Sequence, residues 1–443
     1  MSDSNATSRG VSPLDRAHAA RLAQQHPAAL QLAASILSAT PEDASAAWLV
    51  ARLLLDGQRQ VAAGQAASEL VTRFIHRGDL PSACLAAQLA GEAGVAVEPL
   101  TKSIADAFGR GSPRLGAASP APPPLPVDVP VAALFANASG DALLDAAEKV
   151  LSKALGMRDK IPDDATLPTL PLFSELAPPL LQKLLLALQP REFPAGGYVV
   201  QQGEDGVEAF LLARGVLNVV REGDEGPTVL AVLGPGALFG EMALVSHAPR
   251  AASVVAVEPA QVFAAPRASL EALAAREPSI GRALGEFCHQ RMVGNLIRHS
   301  RILSAVAPAK RPELISRFRT QTFLLGAVLV RHGEQAGKLF LIASGGVEVR
   351  GTDVEGDRVV LAQLGPGDVV GEISLVLRRP ATADVVAVHT TIALELTREQ
   401  FEEAIREHPG LLQQLYELAV QRDDETRSVV AQPAMDVSDT VLL

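Results

Sequence analysis

Between residues 12 and 110, apolar positions recur at helical spacing and polar turn residues interrupt them at short intervals. Trp48, Leu49, Leu53 and Leu55, with Arg52 among them, mix apolar and polar positions as a half-buried helix does. Ser12-Pro13-Leu14-Asp15 sets a capping serine, a proline at the first helical position and a carboxylate two positions later; Thr40-Pro41-Glu42-Asp43 repeats that order. Gly57, Gly78 and Gly91 fall where helices can stop. The pattern predicts about five or six short helices stacked as hairpins.

Residues 111–165 read differently. Ser119-Pro120-Ala121-Pro122-Pro123-Pro124-Leu125-Pro126 predicts an extended, polyproline-like linker, with one helix near Asp141–Leu155. From residue 168 the period shortens. Tyr198–Gln201, Ala209–Ala213, Val216–Val220, Val229–Leu233, Ser253–Val257 and Gln261–Ala264 are Val/Leu-rich runs divided by glycine turns, the pattern of a small sandwich or barrel. A helical stretch from Ser269 to Leu303 follows. Gly215-Val216 then recurs as Gly346-Val347, Leu233-Gly234-Pro235-Gly236 as Leu364-Gly365-Pro366-Gly367, and Gly240-Glu241 as Gly371-Glu372, each 131 positions on. A repeat this long is a duplicated domain.

Composition narrows the class. Of 443 residues, 48% are hydrophobic but only 4% aromatic, and alanine supplies much of the apolar content. That suits closely packed helices. No apolar run is long enough to span a bilayer, so membrane insertion is not expected. Met1–Gly10 lacks the apolar stretch of a secretory signal. Cys84 and Cys288 are too few and too far apart for a disulfide framework or zinc site and read as buried small hydrophobes, so a cytoplasmic setting is expected. The net charge of −11 and the lack of a dense Lys/Arg run argue against DNA as a partner. No metal-ligand cluster, Walker loop or dinucleotide fingerprint is present. Hence no catalytic residue, metal or cofactor is expected.

The chemistry sits in Phe239-Gly240-Glu241-Met242-Ala243-Leu244-Val245-Ser246-His247-Ala248-Pro249-Arg250-Ala251-Ala252-Ser253-Val254. Gly240 allows a close backbone approach. Glu241 to Val245 suits one helical turn, whose free N–H groups favour an anion. Arg250, fixed by the preceding proline, can hold a phosphate bidentately. The residues alone leave a plain Glu241–Arg250 salt bridge equally open.

This segment is similar to the phosphate-binding cassette of the cyclic-nucleotide-binding domain family, which includes regulatory subunits of cAMP-dependent protein kinase and the catabolite activator protein. Pro171–Leu176, Gly203-Glu204-Asp205-Gly206 and Gly215-Val216 extend the match. The resemblance implies that Glu241 accepts from a ribose hydroxyl and that Arg250 pairs with the cyclic phosphate. Backbone N–H groups near Met242, Ala243, Ala251 and Ala252 complete the cradle, with Gly240 leaving room. Ala251, where a hydroxyl residue often accompanies cGMP preference, points to cAMP over cGMP. Phe287, His289, Arg291 and Met292 are candidates for a base lid. Phe74–Leu80 with Ala83, Ala86 and Ala87 also resembles a tetratricopeptide-type turn and helix, although no clean period is visible.

The second cassette departs from the pattern. Gly371 and Glu372 are kept, but Ala381 stands where Arg250 stands, Thr382 follows it, and Asp384 replaces Ser253. A lost charge partner costs on the order of 2–5 kcal/mol, and Asp384 is expected to repel a phosphate, so this site is read as degenerate.

The expected fold is therefore multi-domain α + β: an N-terminal all-α helical-hairpin domain, then two β-jelly-roll cyclic-nucleotide-binding domains with flanking helices. The expected divisions are 12–110 for the helical interaction domain and 111–165 for the Pro-rich linker. The first and second cyclic-nucleotide-binding domains take 168–300 and 301–425, and 426–443 forms a flexible tail. Residues 425–443 are too short for a helix-turn-helix, and Gly109-Arg110-Gly111-Ser112 lacks the paired arginines of an inhibitory pseudosubstrate. The expected function is a cAMP-responsive adaptor that engages a protein partner through its N-terminal helices. The alternative is a non-binding scaffold that uses both folds as interaction surfaces.

Overall fold

The computed structural model describes residues 12–117, 130–157, 162, 165–223, 226–242, 249–335, 337–352 and 357–431, with backbone alone for His299 and residues 425–431. It divides into two compact units: residues 1–204, 208–240 and 250–284 form one, and residues 205–207, 241–249 and 285–443 the other. Among the described residues no helix is long and apolar enough to cross a membrane, and no group of three or more His, Cys, Asp or Glu is placed to hold a metal ion.

The first unit opens with six helices: α1 (Pro13–Leu22), α2 (His26–Ala39), α3 (Ala44–Asp56), α4 (Gln60–His76), α5 (Leu80–Glu92) and α6 (Val97–Phe108). Each packs on its neighbour in sequence. Fully buried Ala33, Ala47, Ala63, Ala67, Ala83 and Ala86 permit that close approach. The same closing turn follows α1, α3, α4 and α5. Gln24, Gln58, Gly78 and Gly94 adopt positive φ, and the next N–H bonds back five residues along the chain, as from Arg59 to Leu54 O at 2.8 Å. The turns after α1, α3 and α5 are 34 and 36 positions apart, so helix pairs repeat although the sequence shows no clean period. Two glutamines in this left-handed position hide the repeat, because glycine is the residue that usually marks it.

Two local expectations need correction. Thr40 ends α2 and does not cap α3; Asp43 does, accepting from the N–H groups of Ser45 and Ala46, both at 3.0 Å. Gly91 lies inside α5, where a side chain would meet Val97 at 2.5 Å, and the chain turns at Gly94 instead.

The polyproline segment, Ser119–Pro126, lies outside the described residues. Both of its flanks are anchored. β1 (Leu115–Gly116) pairs in parallel with β2 (Leu167–Pro168), and Ala132 N–H donates to Ser35 Oγ at 3.0 Å. After α7 (Ala133–Ala136), α8 (Gly140–Leu155) packs back onto α2 and α3.

α9 (Pro178–Ala187) leads into eight strands: β3 (Gln189–Phe193), β4 (Tyr198–Val200), β5 (Glu208–Arg214), β6 (Leu217–Arg221), β7 (Thr228–Leu233), β8 (Leu238–Phe239), β9 (Ser253–Ala256) and β10 (Ala260–Pro266). They form two four-stranded antiparallel sheets, ordered β3-β10-β5-β8 and β4-β9-β6-β7. Phe210, Leu212, Phe239 and Val262 from one sheet meet Val200, Leu217 and Val254 from the other in a common core. β5 is buried on both faces because its alternate residues serve two neighbours. Phe210 and Leu212 enter the sandwich, while α5 packs against the strand.

The helices are therefore docked on the first sandwich, and polar groups are buried at the seam. Asp15 of α1 pairs with Arg214 of β5, Arg21 with Glu192 of β3, and Arg214 also donates to Pro259 O at 2.8 Å. His18 is fully buried and stacked on Trp48, ring centroids 6.1 Å apart. Burial, then the charges of Arg214 and Arg21, hold its pKa well below the usual imidazole value.

The second unit contains β11 (Arg319–Phe323), β12 (Val328–Val330), β13 (Lys338–Ser344), β14 (Val347–Thr352), β15 (Arg358–Leu364), β16 (Val369–Val370), β17 (Asp384–Ala387) and β18 (Thr391–Thr397). Their sheets, β11-β18-β13-β16 and β12-β17-β14-β15, repeat the first topology. Alternation again splits the strands. Phe340 and Ile342 face the sandwich core, whereas Leu339 and Leu341 join a second core with Leu296, Leu303, Phe401 and Leu415 from the flanking helices. The repeat offset is not uniform. Gly215 and Gly345 hold the equivalent positive-φ turn, so the match of Gly215 to Gly346 is corrected by one. Leu217 pairs with Leu233 as Val347 pairs with Leu364, which places the extra residue in the hairpin between β14 and β15.

Candidate functional site

The division between the units runs through the first cassette, at 240/241 and 249/250. In the first unit, Arg250 is 8% exposed. Its Nη1 donates to Gly240 O at 2.9 Å and its Nη2 to Glu208 O at 2.6 Å, while the guanidinium lies 5.7 Å from the centre of the Phe210 ring. The backbone of Arg250 is clamped to the preceding turn: its N–H donates to Glu204 O at 2.8 Å, and its carbonyl accepts from Gly203 N–H at 2.9 Å. Gly240 has φ 76°, and a Cβ there would come within 2.8 Å of Arg250 Nη1. Glycine is required at that point both by the backbone and by the arginine. Ala251 is exposed and Ala252 half-buried just before β9.

Glu241 and Met242 belong to the second unit. Glu241 is buried, and its Oε1 accepts from Arg291 Nε at 3.2 Å. Arg291 sits on the helix Pro278–His299. Met242 packs against the core that contains Met292. Ala243 and the expected turn through Val245 lie outside the described residues. Of the lid candidates, Phe287 and Met292 are buried, His289 is exposed, and Arg291 pairs with Glu241 of the cassette. Cys288 lies against Glu241 O at 3.9 Å, and burial, reinforced by the Glu241 charge, pushes its thiol up to about 12. The thiol of Cys84 is likewise raised by burial. Both cysteines are free and buried.

The second cassette lies wholly in one unit, and its four named residues line one cavity of about 190 Å³. Gly371 adopts φ 88° at the start of the short helix Glu372–Val376. Glu372 is 3% exposed and accepts from Arg422 Nη1 at 3.0 Å; the same nitrogen also donates to Val369 O. Arg422 is 131 positions beyond Arg291, as Glu372 is beyond Glu241. Neither arginine stands near its cassette in sequence, so the motif alone does not show the pair. Ala381 repeats the backbone clamp of Arg250, donating to Glu334 O at 2.9 Å, with only a methyl to offer the cavity. The expected repulsion from Asp384 is corrected. Its carboxylate accepts from His332 N–H at 2.8 Å, much as Ser253 Oγ accepts from Gln202 N–H at 3.0 Å, and it does not line the cavity. Arg379 pairs with Asp423 at 3.3 Å.

Both copies thus set paired strands, a left-handed glycine, a buried glutamate and a clamped residue nine positions on from that glutamate. A family model described as the cyclic nucleotide-binding domain matches residues 190–277 and again 320–408. Two segments of the chain are therefore similar to that domain, one in each sandwich. The cAMP-dependent protein kinase regulatory subunit of Dictyostelium discoideum is 28% identical over 234 residues, covering 52% of this chain and 69% of that protein. Its counterpart from Debaryomyces hansenii is 29% identical over 259 residues, covering 58% of this chain and 52% of that protein, about half its length. The solved regulatory domain of Toxoplasma gondii PKA with cAMP aligns over 56% of this chain and 92% of that chain at 25% identity, with a TM-score of 0.27.

Proposed function

We propose that this chain is a cAMP-responsive regulatory protein whose first cassette binds the nucleotide and whose second does not. The carrying observation is the contrast at one position. Arg250 is buried, clamped and backed by Phe210, and Ala381 takes the same backbone place without a cation. In this reading Arg250 holds the cyclic phosphate, Glu241 takes a ribose hydroxyl, and N–H groups at Met242, Ala243, Ala251 and Ala252 complete the cradle. A protein partner is supported by the names of the relatives, which are regulatory subunits. The segment Gly109–Ser112 is a poor inhibitory arm. Arg110 N–H donates to Leu176 O at 2.8 Å, and a Cβ on Gly109 would meet the Pro178 backbone at 3.2 Å.

A scaffold reading has one observation in its favour: Glu241 and Glu372 are each already paired with an arginine of the same unit. Calorimetric titration of the full chain with cAMP and cGMP separates the two. Binding of cAMP, stronger than cGMP and lost in Arg250→Ala, supports the sensor. No heat from either nucleotide at roughly millimolar concentration supports the scaffold.

A further inference from the structure

The outer faces of the two sandwiches differ. In the first, Leu217, Val219, Leu233, Val254 and Ala256 turn into the core, so strand alternation sends the residues between them outward. The register then sets two rows across the sheet β4-β9-β6-β7. Tyr198 stands beside Val255, Val255 beside Asn218, and Asn218 beside Val232; in the next row Val220 stands beside Val229. Tyr198 is 50% exposed, Val229 55% and Val232 65%. None of the six carries a charge. The same rows in the second sandwich run Val328, Val386, Glu348, Gln363 and Asp384, Arg350, Val360. There Arg350 Nη2 donates to Glu348 Oε2 at 2.8 Å, and the face has the polar outer side of an antiparallel sheet that meets water. Asn218, Val220 and Val232 hold the places of Glu348, Arg350 and Gln363. A contiguous apolar face left exposed marks a contact surface.

We propose that this face binds the same face of a second copy of the chain, sheet against sheet about a twofold axis. The outside of a four-stranded sheet with short side chains suits another sheet better than a peptide that needs a groove. The outer face of another copy's second sandwich fits badly, because Glu348 and Arg350 would leave water to lie against valines. Two first faces bring no charge into the contact. Arg221 and Glu222, exposed side by side at the end of β6, are opposite in sign, so each can meet the other across the twofold. The net charge of −11 disfavours an anionic lipid surface as the occupant. Four strands about 4.8 Å apart and about five residues long give a face of roughly 300 Å², small beside the roughly 800 Å² that each partner of a standard interface buries. The dimer is therefore weak and concentration-dependent. The inference rests on the outer face alone and is independent of nucleotide binding.

The test is sedimentation velocity on the full chain at concentrations from roughly 1 to 300 μM. The parent is expected to shift from monomer to dimer across that range. Val232→Gln is expected to weaken the dimer about tenfold or more, since one substitution acts twice in a twofold contact. Asn218→Glu with Val220→Arg and Val232→Gln copies the face of the second sandwich and is expected to abolish the dimer; if that variant unfolds, Val232→Gln decides. Arg350→Ala, on the other sandwich, is expected to leave the equilibrium unchanged. A parent that stays monomeric throughout overturns the proposal, and its sedimentation with phosphatidylcholine vesicles would then give the face to lipid. A dimer indifferent to Val232→Gln, or one weakened by Arg350→Ala, overturns it as well.

Discussion

The two cassettes share a backbone and differ in what it presents. Each has a left-handed glycine, Gly240 or Gly371, followed by a buried glutamate that meets an arginine far along the chain. Each clamps a residue to the preceding turn through the same two backbone hydrogen bonds. That residue is Arg250 in one copy and Ala381 in the other. The two copies thus keep one loop geometry and differ in the charge it carries. The Glu–Arg pair recurs in both copies: Glu372 accepts from Arg422 as Glu241 accepts from Arg291. In the proposed reading Gly-Glu belongs to the fold, whereas the later arginine selects the ligand.

The sharpest way to break this comparison is Arg250→Ala. It is expected to cost on the order of 2–5 kcal/mol in cAMP affinity, roughly 30-fold to several thousand-fold, read by calorimetry. A change smaller than tenfold removes the distinction between the copies. The converse, Ala381→Arg, is expected to add a weaker second cAMP site, visible as a second equivalent in the same titration.

A second contrast concerns what covers each inner sheet. The second sandwich uses its own flanking helices, and the first has α5 packed on β5 and charged pairs along the seam. Arg214→Ala leaves Asp15 buried without its partner and is expected to lower unfolding stability by roughly 3 kcal/mol, measured by urea denaturation. His18 gives this seam a pH dependence. Its folded pKa is depressed, so the unfolded chain binds the extra proton. Stability is full above the unfolded value of about 6.5 and falls below it, by about 1.4 kcal/mol per pH unit until the folded pKa is reached. His18→Gln is expected to flatten that slope between pH 6.5 and 5. The smallest effect concerns the helix Pro278–His299. Ligand at Glu241 is expected to alter tryptic cleavage at Arg298 and Arg301 by a few-fold, and identical digestion patterns with and without cAMP would count against coupling through this helix.

Much of this was legible in the residues. Strand periodicity and recurring glycine turns placed both sandwiches, and Phe239–Val254 located the cassette. What was missed has physical reasons. β3 and β11 are edge strands with largely exposed, polar residues and carry no apolar run. The helical repeat is masked by Gln24 and Gln58 in a conformation that glycine usually announces. The one-residue shift between the copies falls in a hairpin loop, where an insertion leaves strand pairing intact. The partners of Glu241 and Glu372 lie 50 residues away on helices, and spacing alone does not reveal such pairs.

The most direct measurement is the number of cAMP molecules bound per full-length chain at saturation, by equilibrium dialysis with labelled nucleotide. The account predicts one, falling to none in Arg250→Ala. Two per chain, or one that survives that substitution, would contradict it.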